Sequence, residues 1–406
     1  MPSNHKNNRI YLDHSATTPV DPAVLEAMLP FFTQNFGNAS SIHSFGQEAK
    51  VALEDARSQV AHLIGAEPSE IVFTSGGTEA DNWAIKGTAH FFEGSKSRNN
   101  LDKNHIVTSA IEHHAVLFAC KYLEKKGFEV TYVPVDNCSK VAPEKVAEAI
   151  RENTFLVSIM HANNELGTIN PVREIGAVAR ERGVLFHTDA VQTVGKLPIQ
   201  VKVMNIDLLS LSAHKIYGPK GIGALFIRRG VQIEKYFHGG RHERDRRAGT
   251  ENVAAAVGLG KAAEICRERM GKDASKLQSL SEELYAKISQ NISDVYFNGD
   301  RNQRVPGILN LSFDGVESDS LMLSLDLKGI AVSNGSACSS GTIAPSHVLQ
   351  ALGLPKNLVR SAIRFSLGRG NTSEEIDRTV QVLKEIVERL RGVKKGKKLF
   401  TTELHG

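Results

Sequence analysis

The sequence predicts an α/β fold in which a mostly parallel, seven-stranded sheet is joined to a smaller α+β domain. Between residues 70 and 230, short β-branched runs alternate with helical patterns, which is typical of a parallel sheet with crossover helices. After Glu251 the pattern changes to one long helical stretch followed by a few strands. At about 150 residues per domain, the 406 residues allow two or three domains. We expect a large domain over residues 18–260 and a small domain formed by residues 1–17 and 261–406.

The predicted strands of the large sheet are short apolar runs bounded by turn residues. They cover residues 71–75, 105–109, 128–135, 155–161, 184–188, 207–212 and 222–228. Helical periodicity between them includes residues 115–126, 143–151 and 172–182. The second part predicts a helix over 253–290, strands near 308–313 and 329–332, and a closing helix from 373 to about 391.

Composition and charge exclude several classes of protein. Hydrophobic residues make up 41% and charged residues 23% of the chain, which are globular values. A net charge of +4 does not call for nucleic acid or an acidic membrane, and the basic stretch 391–398 is interpreted as a solvated tail rather than a nucleic-acid patch. Four cysteines without C-x-x-C spacing argue against a disulfide framework or a zinc site. With no signal peptide and no membrane span in the pattern, we expect a cytoplasmic protein.

Polar residues follow five predicted strands at their carboxyl ends, where open parallel sheets bind ligands. They are Gly76–Thr78, Glu112–His114, Asn163–Glu165, Asp189 with Gln192, and Ser212–Lys215. All of these should converge on one edge of the sheet. Free amides where a helix begins at Thr78 would bind an anion, although a tight turn capped by that threonine explains the Gly-Gly-Thr run better when it is taken alone.

The chemistry of this edge favours one cofactor. The chain contains neither the phosphate-loop pattern G-x-x-x-x-G-K-[ST] nor G-x-G-x-x-G at a strand-to-helix turn, and its histidines are not grouped as metal ligands. An anion site, an acid, an imidazole and a lysine are what a pyridoxal 5'-phosphate enzyme needs. Lys215 would supply the amine that the aldehyde requires, and Asp189 would keep the ring nitrogen protonated. An ordinary surface lysine is the alternative for Lys215.

A thiol and an arginine complete the candidate residues. Residues 333–342, Ser-Asn-Gly-Ser-Ala-Cys-Ser-Ser-Gly-Thr, contain no side chain larger than Asn, and we expect an exposed, mobile segment from which Cys338 can reach a reactive centre. Cys120 and Cys266 lie in helical apolar patterns and should be buried, whereas Cys138 is unassigned. Arg364 would pair with a substrate carboxylate or form a structural ion pair.

With these residues in place, the sequence closely resembles the pyridoxal-phosphate-dependent cysteine desulfurases. The resemblance is to the branch with a long active-cysteine loop, typified by the iron–sulfur and nitrogen-fixation desulfurases, and it runs from residue 10 to residue 369. Three motifs carry it: Ser-Ala-His-Lys-Ile-Tyr-Gly-Pro-Lys-Gly at 212–221, Ser-Ile-Met-His-Ala-Asn-Asn-Glu-Leu-Gly at 158–167, and Gly-Ser-Ala-Cys-Ser at 335–339.

The resemblance implies a fold-type I, class V aminotransferase-like homodimer that converts L-cysteine to L-alanine and leaves the sulfur on Cys338 as a persulfide. Lys215 would hold the cofactor and shuttle protons, and His113 would stack on its ring and assist proton transfer. The other cofactor contacts would come from Asp189, Gln192, Asn164, Gly77, Thr78, Ser212 and His214, with Thr250 of the partner subunit. Arg364 with Asn164 would bind the substrate carboxylate, and no metal is expected.

The resemblance leaves the sulfur acceptor open. An iron–sulfur scaffold protein is expected, but the C-terminus lacks the extended tail that housekeeping members use to dock it. The alternative function is a selenocysteine lyase or a cysteine-sulfur lyase of the same fold. Such an enzyme would need no mobile thiol, so the small-residue segment around Cys338 counts against it.

Overall fold

The computed structural model describes residues 9–99, 103–335 and 345–403, with side chains described for 9–94, 103–335 and 345–392. Its strands are β1 (Ile10–Tyr11), β2 (Ile71–Thr74), β3 (His105–Ser109), β4 (Glu129–Val133), β5 (Thr154–Ser158), β6 (Leu185–Asp189), β7 (Leu208–Ser212), β8 (Gly223–Ile227), β9 (Val295–Phe297), β10 (Ile308–Phe313), β11 (Ile330–Ala331) and β12 (Ala362–Ser366). Cys338 lies outside the described residues.

The α-helices alternate with the strands in the first part of the chain and become longer in the second. They are α1 (Pro22–Met28), α2 (Pro30–Thr33), α3 (Ser44–Ile64), α4 (Gly77–Asn99), α5 (His114–Glu124), α6 (Pro143–Ala149), α7 (Val172–Glu181), α8 (Val253–Asn291), α9 (Ser318–Leu327), α10 (His347–Ala351), α11 (Lys356–Val359) and α12 (Ser373–Glu403). Among the described residues, no helix combines the length and the apolar character that crossing a membrane requires.

Seven strands form the central sheet in the order β2-β8-β7-β6-β5-β3-β4. Strands β3 to β7 pair in parallel, whereas β8 is antiparallel to both β7 and β2. Most of these strands are buried along their whole length, because helices cover both faces of the sheet. Because β2 and β7 are both antiparallel to β8, they run in the same direction as each other. All strands of the sheet except β8 therefore have their carboxyl ends at one edge.

The second part of the chain builds its own apolar core. Strands β12, β10 and β9 form an antiparallel sheet, and β1 pairs in parallel with β11, which brings the N-terminus to this region. Helix α8 contributes Val253 to Cys266 to the core beneath the large sheet and Leu277 to Ile288 to the second core. The predicted division at residue 260 therefore falls inside one continuous helix, and the domain limits 18–260 and 1–17 with 261–406 stay a prediction.

The predicted α/β class with a mostly parallel seven-stranded sheet is confirmed. Some details differ from the pattern. The closing helix, predicted to end near residue 391, continues to Glu403, so the basic stretch 391–398 that was interpreted as a tail is helical. The strand predicted over 155–161 ends at Ser158, since the chain turns there to form the polar segment at the sheet edge. The run 222–228 forms β8, which returns antiparallel after a short turn rather than through a crossover helix.

Candidate active site

A cavity of about 350 Å³ opens at the carboxyl edge of the central sheet. This is within the usual range of small-molecule sites, about 300–1,000 Å³. The residues that line it are Ser15, Ala16, Gly77, Thr78, Asp81, His113, Met160, Asn164, Asp189, Val191, Gln192, Ser212, His214, Lys215, Gly335 and Arg364. The segments after β2, β3, β5, β6 and β7 thus meet here, as strand-end reasoning requires.

Lys215 follows β7 on a short 3₁₀ turn, Ala213–Lys215, and is half-buried. Its Nζ donates hydrogen bonds to the carbonyl oxygens of Ser15 at 2.5 Å and Ala16 at 2.7 Å. The N-terminal segment is tied to the same turn, because Thr18 donates its backbone N–H to the His214 carbonyl at 2.9 Å. The amine of Lys215 is therefore held at the cavity wall by backbone acceptors.

Two carboxyl groups lie at the floor of the cavity. Asp189 ends β6 and accepts the Val191 N–H at 2.9 Å, and burial raises its pKa to about 6 against the opposing effects of that hydrogen bond and of Lys215. Asp81 projects from the first turns of α4, where burial and then the charge of Asp189 raise its pKa well above the usual value. Sequence reasoning missed Asp81. The sequence feature that could have identified Asp81 is an acidic residue on the buried face of a helix, three residues after Thr78.

His113 lies next to these two carboxyl groups and is the N-cap of α5. Its Nδ1 accepts the Ala115 N–H at 3.2 Å, so the hydrogen of the neutral ring is on Nε2. Burial, and then the charges of Lys215 and the neighbouring histidines, lower the pKa of His113 to about 4. The imidazole is neutral at physiological pH. Asp81, His113 and Asp189 each place a polar atom within 4.8 Å of the others, a spacing that a metal ion would also accept.

A cradle for an anion is formed where α4 begins. A Cβ on Gly77 would stand 2.7 Å from Val191 Cγ2 and 3.7 Å from the Ser212 Cβ, so only glycine leaves this space open. Gly76 has φ of +155°, which few other residues adopt. The first amides of the long helix α4 point at this space with the positive end of the helix dipole. Thr78 and Ser212 line it as well.

Gln192 and Arg364 close the side of the cavity next to the N-terminal segment. The Gln192 Nε2 donates to the Ser15 carbonyl at 3.0 Å, and its Oε1 accepts from Lys196 at 3.2 Å. Arg364 is 3% exposed and forms the structural ion pair that was one of its two predicted roles, with Asp13 at 2.7 Å. It also lines the cavity, and its pairing with a substrate carboxylate stays a prediction.

The remaining donors of Arg364 connect it to the polar segment after β5. Its Nη1 donates to the Asn164 carbonyl at 2.9 Å, whereas Nε has no hydrogen-bond partner among the residues that the structure describes. A buried guanidinium with an unused donor is suited to a carboxylate ligand.

One predicted site residue is not brought to this cavity, and another lies outside the described residues. Thr250 is exposed and lines a separate surface cavity with Arg247, Gly249 and Glu251. Cys338 belongs to the segment outside the described residues, which begins directly after the cavity-lining Gly335.

Comparisons with known proteins agree with the geometry. Residues 10–379 match the model of the family described as aminotransferase class-V. A relative named cysteine desulfurase IscS from Dictyoglomus turgidum is 51% identical over 384 residues, covering 95% of this chain and 96% of its own.

Solved structures give the same result. A structure titled NifS-like protein superimposes with a TM-score of 0.87 at 40% identity, covering 94% of this chain and 99% of that one. A structure titled SspA in complex with cysteine gives a TM-score of 0.77 at 40% identity, covering 88% of this chain and 98% of that one.

Proposed function

The chain belongs to the aminotransferase class-V family and is a cysteine desulfurase, and from this premise we propose how its own residues hold pyridoxal 5'-phosphate and take sulfur from L-cysteine. Cysteine desulfurases of this family depend on that cofactor. The observation that carries the proposal is the arrangement of one cavity: an amine, a buried carboxyl group, a neutral imidazole and a glycine-lined helix start surround the same space.

The residues present fit the cofactor in size and in chemistry. The space that a Cβ on Gly77 would fill, together with the first amides of α4, suits a phosphate group, with Thr78, Ser212 and His214 around it. At the other end, Asp189 lies beneath the cavity as an acceptor for a ring N–H. Gln192 and Asn164, which also line the cavity, would donate to a ring oxygen.

When bound, pyridoxal phosphate supplies an electrophilic aldehyde and a ring that accepts electrons. Lys215 would hold the cofactor through its Nζ, and the same amine would move protons at the substrate carbon. The Asp189 carboxylate would keep the ring nitrogen protonated, because its negative charge stabilises the positively charged ring. His113, a neutral imidazole whose Nε2 carries the hydrogen, would lie beside the ring and could donate that hydrogen bond or proton.

The substrate side of the cavity is the wall formed by Arg364 and Asn164. The unused Nε of Arg364 pairs with the L-cysteine carboxylate, which fixes the orientation of the amino acid. The Cys338 thiolate then attacks the substrate sulfur: the carbon–sulfur bond breaks, a sulfur–sulfur bond forms on Cys338, and the electron pair left on carbon takes up a proton to give alanine. The persulfide passes to an acceptor protein such as an iron–sulfur scaffold.

We further propose a homodimer in which Thr250 of the partner subunit completes the phosphate site. Thr250 does not line the active-site cavity of its own chain but a separate surface cavity, which leaves it free for a role in the partner's site. Leu29, Phe32, Phe36 and Ile42, in and after α1 and α2, are each more than half exposed, as expected of an apolar surface that another subunit covers. The cytoplasmic location predicted from the sequence stays a prediction.

The cofactor lysine is tested by Lys215→Ala in the full-length protein reconstituted with pyridoxal phosphate. We expect the visible absorption of covalently attached cofactor to disappear and alanine production from L-cysteine to stop, because no other described lysine lines the cavity. Lys220→Ala, on the same glycine-rich turn but not lining the cavity, is the matched control and should keep both. Covalent attachment that survives Lys215→Ala would refute the assignment.

A further inference from the structure

Ser15 carries a buried hydroxyl group that none of the roles above uses. The residue is 2% exposed, and its Oγ has no hydrogen-bond partner among the residues that the structure describes. It lies in the N-terminal segment after β1 and lines the active-site cavity. Burying a hydroxyl group without a partner costs free energy, so such a group in a folded protein calls for an explanation.

The backbone of Ser15 is fixed on both sides. Its N–H donates to Ser366 Oγ at 2.9 Å. Its carbonyl accepts hydrogen bonds from Gln192 Nε2 at 3.0 Å and from Lys215 Nζ at 2.5 Å. Because the serine side chain turns about a single carbon–carbon bond, the hydroxyl oxygen of a residue held in this way has only a few positions in the cavity wall.

The same wall contains a second unpaired donor, the Nε of Arg364. Arg364 is 3% exposed, and this atom also has no hydrogen-bond partner within the described part of the chain. Arg364 and Ser366 are two residues apart on β12, so they lie about 7 Å apart on one face of that strand. Since Ser366 binds the N–H of Ser15, the structure brings Ser15 and Arg364 to the same side of the cavity.

We infer that Ser15 is a substrate-binding residue whose hydroxyl group donates to one oxygen of the L-cysteine carboxylate while Arg364 Nε donates to the other. The inference rests on the proposed function, which places that carboxylate at Arg364. A carboxylate has two acceptor oxygens, so it satisfies both unpaired donors at once. The wall also favours an anion, because Lys215 and Arg364 line it and Asp13 is already paired with Arg364.

A second cavity offers the competing explanation. Ser15 and Lys215 also line a smaller cavity of about 40 Å³, together with Lys196 and Arg369. A water molecule needs about 10–15 Å³ and a few polar partners, so this cavity has room for water bonded to Ser15 Oγ. In that case the hydroxyl group would serve the fold, and Ser15→Ala would not distinguish ligands that have a carboxylate from ligands that lack one.

The test titrates the reconstituted holoenzyme with L-alanine, the product of the reaction, and with ethylamine, which is L-alanine without its carboxylate. Binding is followed by the absorption of the bound cofactor. We expect Ser15→Ala to raise the dissociation constant for L-alanine about tenfold or more, because it removes a hydrogen bond to a charged group. The dissociation constant for ethylamine should change less than about twofold.

Ser361→Ala is the matched control. Ser361 is a buried serine that lines neither cavity, and its hydroxyl group donates to the Leu358 carbonyl at 3.2 Å. This variant should bind both ligands as wild type does. It should also lower the urea midpoint of the holoenzyme, because it removes a hydrogen bond that is made in the folded protein.

The same urea measurement gives a readout for Ser15 that does not depend on any ligand. Ser15→Ala removes a hydroxyl group without a partner, so the midpoint should stay the same or rise. A fall as large as that of Ser361→Ala would show that the hydroxyl group already has a partner without substrate, and the inference would be wrong. Unchanged affinity of Ser15→Ala for L-alanine, or equal losses for L-alanine and ethylamine, would also overturn it.

Arg364→Lys separates a failure of this inference from a failure of the proposed function. Lysine keeps a positive charge beside Asp13 but has no atom equivalent to Nε, so the preference for L-alanine over ethylamine should fall. If Arg364→Lys lowers that preference and Ser15→Ala does not, only the role of Ser15 is refuted. If Arg364→Lys keeps the wild-type preference, the proposed carboxylate site itself is refuted.

Discussion

A methyl group added at Gly77 should weaken cofactor binding through its phosphate group. The new Cβ would stand 2.7 Å from Val191 Cγ2, and both residues line the cavity beside Ser212. Relieving this overlap moves either the Val191 side chain into the cavity wall or the turn before α4, and a shift of that turn displaces the amides that we propose hold the phosphate. Overpacking of this kind costs about 1–3 kcal/mol. The dissociation constant for pyridoxal phosphate should rise about 5- to 150-fold.

The assay is a fluorescence or absorbance titration of cofactor-free Gly77→Ala with pyridoxal phosphate and, separately, with pyridoxal, which lacks the phosphate. The affinity for pyridoxal should change much less than that for pyridoxal phosphate. Alanine is preferred to glycine inside a helix by about 1 kcal/mol, so a general loss of folding stability is not expected to explain weaker binding.

Val191→Ala supplies the internal control, because it removes the atom that Gly77→Ala would meet. In the Gly77→Ala background it should restore most of the lost affinity. The reasoning would be refuted by Gly77→Ala protein that binds pyridoxal phosphate as wild type does, or by equal losses for both ligands that Val191→Ala fails to relieve.

Two further predictions concern stability, measured as the free energy of urea unfolding. Arg57→Met removes the cation from Glu243, its buried partner at 2.6 Å, and should lower the free energy of unfolding by about 3–5 kcal/mol. Lys145→Met, in an exposed ion pair with Glu148, should lower it by less than about 1 kcal/mol. Equal losses for the two variants would contradict this prediction. Burial raises the pKa of Glu112 to about 8 from 4.5, so between these pH values the folded state keeps a proton that the unfolded state releases. Wild type should therefore lose stability relative to Glu112→Gln as pH rises from 4.5 to 8, and a difference independent of pH would contradict the assignment.

The position of the cavity followed from sequence because it depends on strand ends. Asp189 and Lys215 come directly after apolar runs, and parallel strands place such residues at one edge whatever the details of packing. The direction of β8 did not follow, since a fully buried run reads the same whether its strand is parallel or antiparallel to its neighbours. Element type was thus easier to predict than topology.

Residues whose roles depend on tertiary contacts could not be identified from the sequence. Asp81 reaches the site only because α4 turns its buried face toward Asp189. The Arg57–Glu243 pair joins residues far apart in the chain, and nothing local to either residue indicates the other. Ser15 was visible only as a polar residue near the N-terminus, and its contacts with Ser366, Gln192 and Lys215 depend on how separate segments pack.

The central claim is that sulfur leaves L-cysteine for the thiol of Cys338, and the most direct measurement is a single turnover of the holoenzyme with L-cysteine and no reductant. Wild type should form alanine in an amount equal to the persulfide found by mass spectrometry on the peptide that contains Cys338. Cys338→Ala should retain bound cofactor and form neither product, whereas Cys138→Ala should behave as wild type. Alanine formed by Cys338→Ala at the wild-type rate, or persulfide found on another cysteine, would contradict the account.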